Sequence, residues 1–152
     1  MDKTAFEQVM SVAIRREVEA HEFYRDVAAK MTDKEAKAVF AQLAQEEMGH
    51  MELLEKFKAD PTMVMKIAAP PADYRVAEAT DARKLSADMK PADAIALAMK
   101  KEQQAVEFYR GLAANAADSS TRNVFENLAN MELGHKHRLE NVFVEIGYPE
   151  AF

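Results

Sequence analysis

Apolar residues recur every three or four positions along four long stretches of the 152-residue chain. This spacing places them on one face of an α-helix, because a helix has 3.6 residues per turn. Polar residues fill the positions between them, as is typical of helices with one buried face. The pattern predicts an all-α protein with helices at residues 3–31, 33–59, 91–116 and 119–146.

Local signals support these helix ends. Thr32 followed by Glu35 resembles a capping box, which predicts the start of the second helix. Pro91 suits the first turn of the third helix, and Gly147 followed by Pro149 suits the end of the fourth.

The sequence contains an internal repeat. When the chain is shifted by 85 positions without a gap, residues 13–58 align with residues 98–143, and 19 of the 46 aligned positions are identical. Unrelated sequences would share only a few identities, so the repeat indicates a duplicated unit. Each copy contains two predicted helices, which gives two similar helical hairpins at 3–59 and 91–146.

The connection between the hairpins, residues 60–90, has a different character. It holds three of the five prolines and shows no long periodic pattern. Its length suffices to run along a helical bundle. A short turn within each hairpin and one long crossover between them predict a ferritin-like four-helix bundle, as a single domain over 1–152. An up-down bundle with a partly disordered linker is the alternative.

Composition excludes several classes of function. The chain has no cysteine, which rules out disulfides, thiol catalysis, zinc ribbons and iron–sulfur clusters among these residues. Its net charge of −6 and pI of about 5.3 argue against nucleic-acid binding. No stretch resembles a signal peptide or a membrane span, so we expect a cytoplasmic protein without a membrane partner.

Each predicted apolar face is interrupted near its middle by side chains that can bind metals. One glutamate does so in the first and third helices, and a Glu-x-x-His pair does so in the second and fourth: Glu17, Glu47, His50, Glu102, Glu132 and His135. A carboxylate buried without a partner costs several kcal/mol, so four of them in a core require an explanation.

The six side chains are predicted to lie at one level of the bundle. Glu17 lies 15 residues before Thr32 and Glu47 lies 15 residues after it, so both are roughly 22 Å from the turn. The two glutamates of the second half are 16 and 14 residues from Asp118.

A glutamate from each of two helices and a Glu-x-x-His pair from each of the other two is the pattern of di-iron carboxylate bundles. Four carboxylates also balance the charge of two divalent cations. Carboxylate with imidazole suits iron, manganese or zinc better than magnesium or calcium. The sequence therefore predicts a dinuclear metal site.

These residues resemble the rubrerythrin branch of the ferritin-like superfamily. The segment EVEAHEFY starting at Glu17 and the segment EQQAVEFY starting at Glu102 carry the resemblance, together with EMGH at Glu47 and ELGH at Glu132. The resemblance covers both repeats and leaves the 60–90 connection unmatched.

The resemblance implies a bundle that holds two iron ions, with Glu47 and Glu132 bridging the ions and the other four ligands capping them. It implies an oxidoreductase that reacts iron(II) with peroxide or dioxygen, of peroxidase or ferroxidase type. Two features differ from rubrerythrins: no cysteine-ligated rubredoxin module is present, and Ala105 replaces a further glutamate that the family carries. An external electron-donor protein is therefore an expected partner. A non-catalytic iron or divalent-metal storage protein and a metal-stabilised structural bundle are the alternatives.

Other residues near the predicted ligands have two interpretations each. Tyr24 and Tyr109 could hydrogen-bond a ligand carboxylate or serve as core aromatics. For Gly49 and Gly134, each directly before a histidine, we expect close approach of a neighbouring helix more than room for a ligand. His21 is predicted to be a partly buried or surface side chain and not a seventh ligand.

Long helices that expose alanine, methionine and phenylalanine predict a homodimer.

Overall fold

The computed structural model describes residues 3–60, 69–70, 73, 75, 77–78, 90–116 and 119–147. They form four α-helices: α1 (Lys3–Lys30), α2 (Lys34–Ala59), α3 (Pro91–Ala114) and α4 (Ser119–Val142). A π-helical turn, Phe143–Gly147, follows α4. The described residues contain no β-strand. The four predicted helices and the all-α class are therefore confirmed, and most of the predicted 60–90 connection lies outside the described residues.

The chain divides into two compact units, of which residues 1–65 form the first. Helices α1 and α2 pack against each other as an antiparallel hairpin. The rings of Phe6 and Phe57 meet at a centroid distance of 5.6 Å, which joins the start of α1 to the end of α2. Tyr24 and Phe40 stack at 6.1 Å nearer the turn. The apolar faces predicted from the sequence thus form the core of this hairpin.

Residues 66–152 form the second unit, in which α3 and α4 pack against each other. Ile95 and Met99 on α3 and Leu128 and Leu139 on α4 are fully buried. Burial of such side chains contributes about 1.5–3 kcal/mol each, so these apolar faces hold the second hairpin together. No helix among the described residues is both long enough and apolar enough to cross a membrane.

The start of α2 differs from the prediction. The N-cap is Asp33 and not Thr32, because the Asp33 carboxylate accepts a 2.9 Å hydrogen bond from the Ala36 amide. A carboxylate at this position also interacts favourably with the positive end of the helix dipole. The predicted capping box with Thr32 is therefore wrong by one residue.

Helices α3 and α4 end earlier than predicted. Asn115 ends α3, where its backbone amide and its side-chain amide both donate to the Gly111 carbonyl, at 3.3 and 2.9 Å. A side chain that competes for a helix carbonyl in this way favours termination. At the end of α4 the chain continues to Gly147 as a π-helical turn instead of an α-helix.

The helical glycines also differ from the expectation of close helix approach. Among the described residues, a Cβ atom placed on Gly49 or Gly134 meets no atom within 4 Å, and neither glycine has a positive φ. Packing against the described residues therefore does not require glycine at these two positions.

We expect Gly49→Ala to raise the free energy of unfolding by about 1 kcal/mol, because alanine is the better helix former by this amount. Chemical denaturation of the variant measures the change. Gly111→Ala is the matched control, since Gly111 also lies inside a helix with no atom within 4 Å of an added Cβ. If Gly49→Ala destabilised the protein while Gly111→Ala stabilised it, position 49 would have a steric constraint that the structure does not show.

Candidate metal centre

The first unit brings three of the predicted ligands together. Glu17 on α1 and Glu47 and His50 on α2 each offer one ligand atom, and these atoms lie within 4.8 Å of one another. The glutamates meet because they lie equally far from the turn on packed helices. Glu47 and His50 share a face because they are three residues apart. Both glutamates are buried and His50 is half-buried. We call these residues the first trio.

The second unit repeats this arrangement with Glu102 on α3 and Glu132 and His135 on α4, which we call the second trio. Their ligand atoms also lie within 4.8 Å of one another. Nδ1 of His135 lies 3.4 Å from a Glu102 oxygen and 3.8 Å from a Glu132 oxygen. All three side chains are buried.

The geometry of each trio fits a transition-metal ion. Carboxylate oxygen and imidazole nitrogen bind such ions at about 2.0–2.2 Å, so two ligands of one ion lie roughly 3–4 Å apart. The ligand atoms of each trio need to move little to reach these distances. Two carboxylates with one imidazole also form a donor set suited to iron, manganese or zinc.

The structure therefore places all six predicted ligands in two trios, one in each unit. Their assignment as metal ligands, and the division into bridging and capping roles, stay predictions. His50 is the one member that is only half-buried, whereas its repeat equivalent, His135, is buried.

Glu102 shows how unfavourable charge is in the second trio. Burial is the main reason that the pKa of Glu102 is raised from 4.5 to about 7, and the negative charge of Glu132 adds to the effect. His135 acts in the opposite direction. A cation bound at the trio would remove this penalty, since it stabilises the ionised carboxylates.

We expect Glu102 to make the metal-free protein less stable as the pH rises from 4.5 to about 7. Over this range the folded protein holds a proton on Glu102 that the unfolded chain has released, so the free energy of unfolding falls as pH rises. The total fall in the free energy of unfolding is on the order of 3 kcal/mol, and it is complete once the pH exceeds the pKa of Glu102 in the folded protein. Chemical denaturation in chelator-treated buffers across this range measures it.

Glu102→Gln is the control, because glutamine keeps the size of the side chain and cannot titrate. The fall in stability should be smaller in this variant by about the same 3 kcal/mol. Equal pH dependence of the two proteins would contradict the shifted pKa of Glu102.

Tyr24, Tyr109 and His21 lie within seven residues of a trio glutamate in the sequence. Tyr24 and Tyr109 are buried, and their predicted hydrogen bond to a ligand carboxylate stays a prediction. His21 donates from Nδ1 to the Ala44 carbonyl at 2.7 Å and so ties α1 to α2. This contact agrees with the interpretation of His21 as a partly buried side chain.

Sequence reasoning missed a second charged cluster in the second unit. Lys136 and Glu140 on α4 are fully buried, and Lys136 contacts Asp73 and Glu78 of the connection. The available signal was a lysine directly after a predicted ligand, at the repeat position where the first hairpin has Met51.

Helical hairpins that carry glutamate and histidine side chains inside them define a ferritin-like four-helix carboxylate protein. A comparison with protein families agrees, because the Rubrerythrin family model matches residues 8–143. The chain belongs to the rubrerythrin family. Membership of this family and the two trios together support a metal-binding protein of the di-iron carboxylate fold.

Two solved structures are similar to this chain over most of their length. An uncharacterised conserved protein from Magnetospirillum magnetotacticum has a TM-score of 0.67 and 23% identity, with 90% of this chain and 91% of that chain covered. A hypothetical protein from Pyrococcus furiosus has a TM-score of 0.58 and 27% identity, with 91% of this chain and 87% of that chain covered. These similarities confirm the ferritin-like fold class. No curated protein sequence matches the chain.

Proposed function

We propose that this protein is a di-iron oxidoreductase that binds iron(II) through the two trios and oxidises it with peroxide or dioxygen. The observation that carries the proposal is the pair of trios, each with two buried carboxylates and one imidazole, in a chain of the rubrerythrin family. The family resemblance supports the view that the two ions form one dinuclear centre. The activity is of peroxidase or ferroxidase type.

The residues of the trios have three tasks in this proposal. The four carboxylates offset the charge of two divalent ions, which makes their burial favourable. The histidines supply neutral nitrogen ligands that favour iron over calcium or magnesium. The apolar residues of the same helix faces keep water away from the ligands and hold them in a fixed geometry.

Iron(II) held by the two trios would supply the electrons that reduce peroxide or dioxygen. For repeated turnover these electrons must be replaced from outside, because the 152 residues contain no cysteine that could ligate a second redox centre. We therefore propose an external electron-donor protein as a partner. A homodimer is the proposed state of assembly.

Storage of iron or another divalent metal without catalysis is the second candidate. Position 105 favours it: Ala105 is buried on α3, one turn after Glu102, and offers no ligand atom where rubrerythrins carry a further glutamate. A site that lacks this ligand has fewer ways to follow a change in the charge of the metal.

Anaerobic loading with iron(II) followed by addition of peroxide distinguishes the two functions. For the enzyme, we expect oxidation of bound iron, followed by stopped-flow absorbance, to be faster than oxidation of iron(II) in buffer and to repeat when a reductant is supplied. Binding of iron without faster oxidation would support storage and contradict the oxidoreductase. The control is protein carrying Glu52→Ala with Glu126→Ala, which removes two exposed glutamates on α2 and α4 and leaves both trios intact. This variant should oxidise bound iron(II) as fast as the unaltered protein.

A further inference from the structure

A buried ammonium group lies among carboxylates on the side of α4 next to the second trio. Nζ of Lys136 is 2.8 Å from Asp73, 2.8 and 2.9 Å from the two oxygens of Glu78, and 3.9 Å from Glu140. The Lys136 and Glu140 side chains have no solvent exposure, while Asp73 and Glu78 are about three-quarters buried. The three carboxylates lie within 4.8 Å of one another, so their charges require a cation between them.

The charged forms of these groups depend on one another. Burial alone would lower the pKa of Lys136, but its hydrogen bonds to Asp73 and Glu78 and the charge of Glu140 raise it overall. Burial alone would raise the pKa of Asp73, but the hydrogen bonds from Lys136 and the Arg75 amide lower it overall. The ammonium and the carboxylate are therefore both ionised at neutral pH.

Backbone contacts fix the same part of the connection to α4. The Ala77 amide donates to Glu140 at 3.0 Å, and Ala77 is fully buried. Arg75 has a φ of 56°, and its amide donates to the Asp73 carboxylate at 3.1 Å. We call Asp73, Arg75, Ala77 and Glu78 the strap.

The repeat shows that this contact belongs to the second hairpin alone. The repeat equivalents of Lys136 and Glu140 are Met51 and Glu55, and Glu55 is exposed on α2. A methionine at position 136 would suit a buried helix position without any partner. The buried lysine therefore needs a specific reason, and the strap supplies it.

We propose that Lys136 is a clasp that fastens the connection between the hairpins to α4, and that the strap leaves α4 when the ammonium group is removed. Without this cation, three carboxylates would remain close together, one of them fully buried, and their nearest counter-charge among the described residues would be the largely exposed Arg75, which lies 3.3 Å from Glu78. Separation of the strap from α4 relieves their repulsion and hydrates Glu140.

Hydrogen exchange of the Ala77 amide, measured by NMR on the full-length protein, tests the clasp. Because removing one partner of a buried ion pair is strongly destabilising, Lys136→Met should accelerate this exchange on the order of a hundredfold. Lys37→Met, at an exposed position on α2, is the matched control and should leave the exchange unchanged. Unchanged exchange at Ala77 in a folded Lys136→Met protein would overturn the proposal.

A second variant decides the matter if Lys136→Met does not fold. Asp73→Asn with Glu78→Gln removes both strap carboxylates and alters no residue of the four helices. We expect faster exchange at Ala77 in this variant too, with the helix amides of Leu128 and Leu139 still protected. Exchange at Ala77 as slow as in the unaltered protein would show that the ion cluster does not hold the strap.

Discussion

Replacing Glu47 and Glu132 together with alanine is expected to abolish tight binding of iron by this protein. The change removes one buried carboxylate from each trio and leaves one carboxylate and one histidine in each. Loss of a side chain that only supports a ligand already lowers metal affinity roughly 10–100-fold, so loss of a ligand from both trios should lower it further. Elemental analysis of the protein after iron loading and gel filtration measures the effect.

The control for this experiment removes two glutamates of the same helices that lie in solvent. Glu52→Ala with Glu126→Ala changes the net charge of the protein by the same amount and leaves both trios intact. We expect this control to retain the iron of the unaltered protein. Circular dichroism confirms that both variants keep their helices. An unchanged iron content in the Glu47→Ala, Glu132→Ala protein would contradict the assignment of the trios as the metal site.

Iron(II) is expected to raise the stability of the protein substantially. A ligand that binds only the folded state adds RT ln(1 + [L]/Kd) to the free energy of unfolding, which is about 4 kcal/mol at a thousandfold excess over Kd. Part of the affinity that sets this Kd comes from the buried carboxylates, because a bound ion offsets the burial and the repulsion from Glu132 that raise the pKa of Glu102. Anaerobic chemical denaturation with and without iron(II) measures the increase.

The variant that lacks Glu47 and Glu132 again provides the comparison. Its unfolding should be insensitive to iron(II), while the Glu52→Ala, Glu126→Ala control should show the full increase. An equal increase in all three proteins would mean that iron binds at another place and would contradict metal binding by the trios.

The helices and the trios could be predicted because they depend on local, repeated features. Helical periodicity makes Phe40, Leu43 and Glu47 neighbours on one face whatever the rest of the chain does. Each feature also occurs twice because of the repeat. The prediction that Glu17 lies on a buried helix face is therefore supported by Glu102, a glutamate at the equivalent position of a second apolar face. A short turn fixes which residues of a hairpin face each other, so the distances of Glu17 and Glu47 from the turn predicted that they lie side by side.

The helix ends were harder to predict because neighbouring residues compete for the same role. Thr32 and Asp33 are both good N-cap residues, and only the backbone geometry shows that the Asp33 carboxylate reaches the Ala36 amide. The reason expected for Gly49 and Gly134 was wrong because helix approach depends on tertiary packing, which periodicity does not contain.

The clasp at Lys136 was beyond the reach of periodicity and spacing. Its carboxylate partners lie 58 and 63 residues earlier in the chain, in a segment without helical pattern. A lysine on a helix is most often solvated, so nothing local distinguished this one. Only the docking of Asp73 and Glu78 on α4 explains a charged side chain at a fully buried position.

The number of iron(II) ions that each chain binds tests the central claim most directly. Metal-free protein titrated anaerobically with iron(II), then freed of excess metal and analysed for its elements, should retain two iron ions per chain. This result would agree with the two trios as the ligands of a di-iron protein. Retention of no iron under these conditions would contradict the binding of iron by the two trios, on which the proposed function depends.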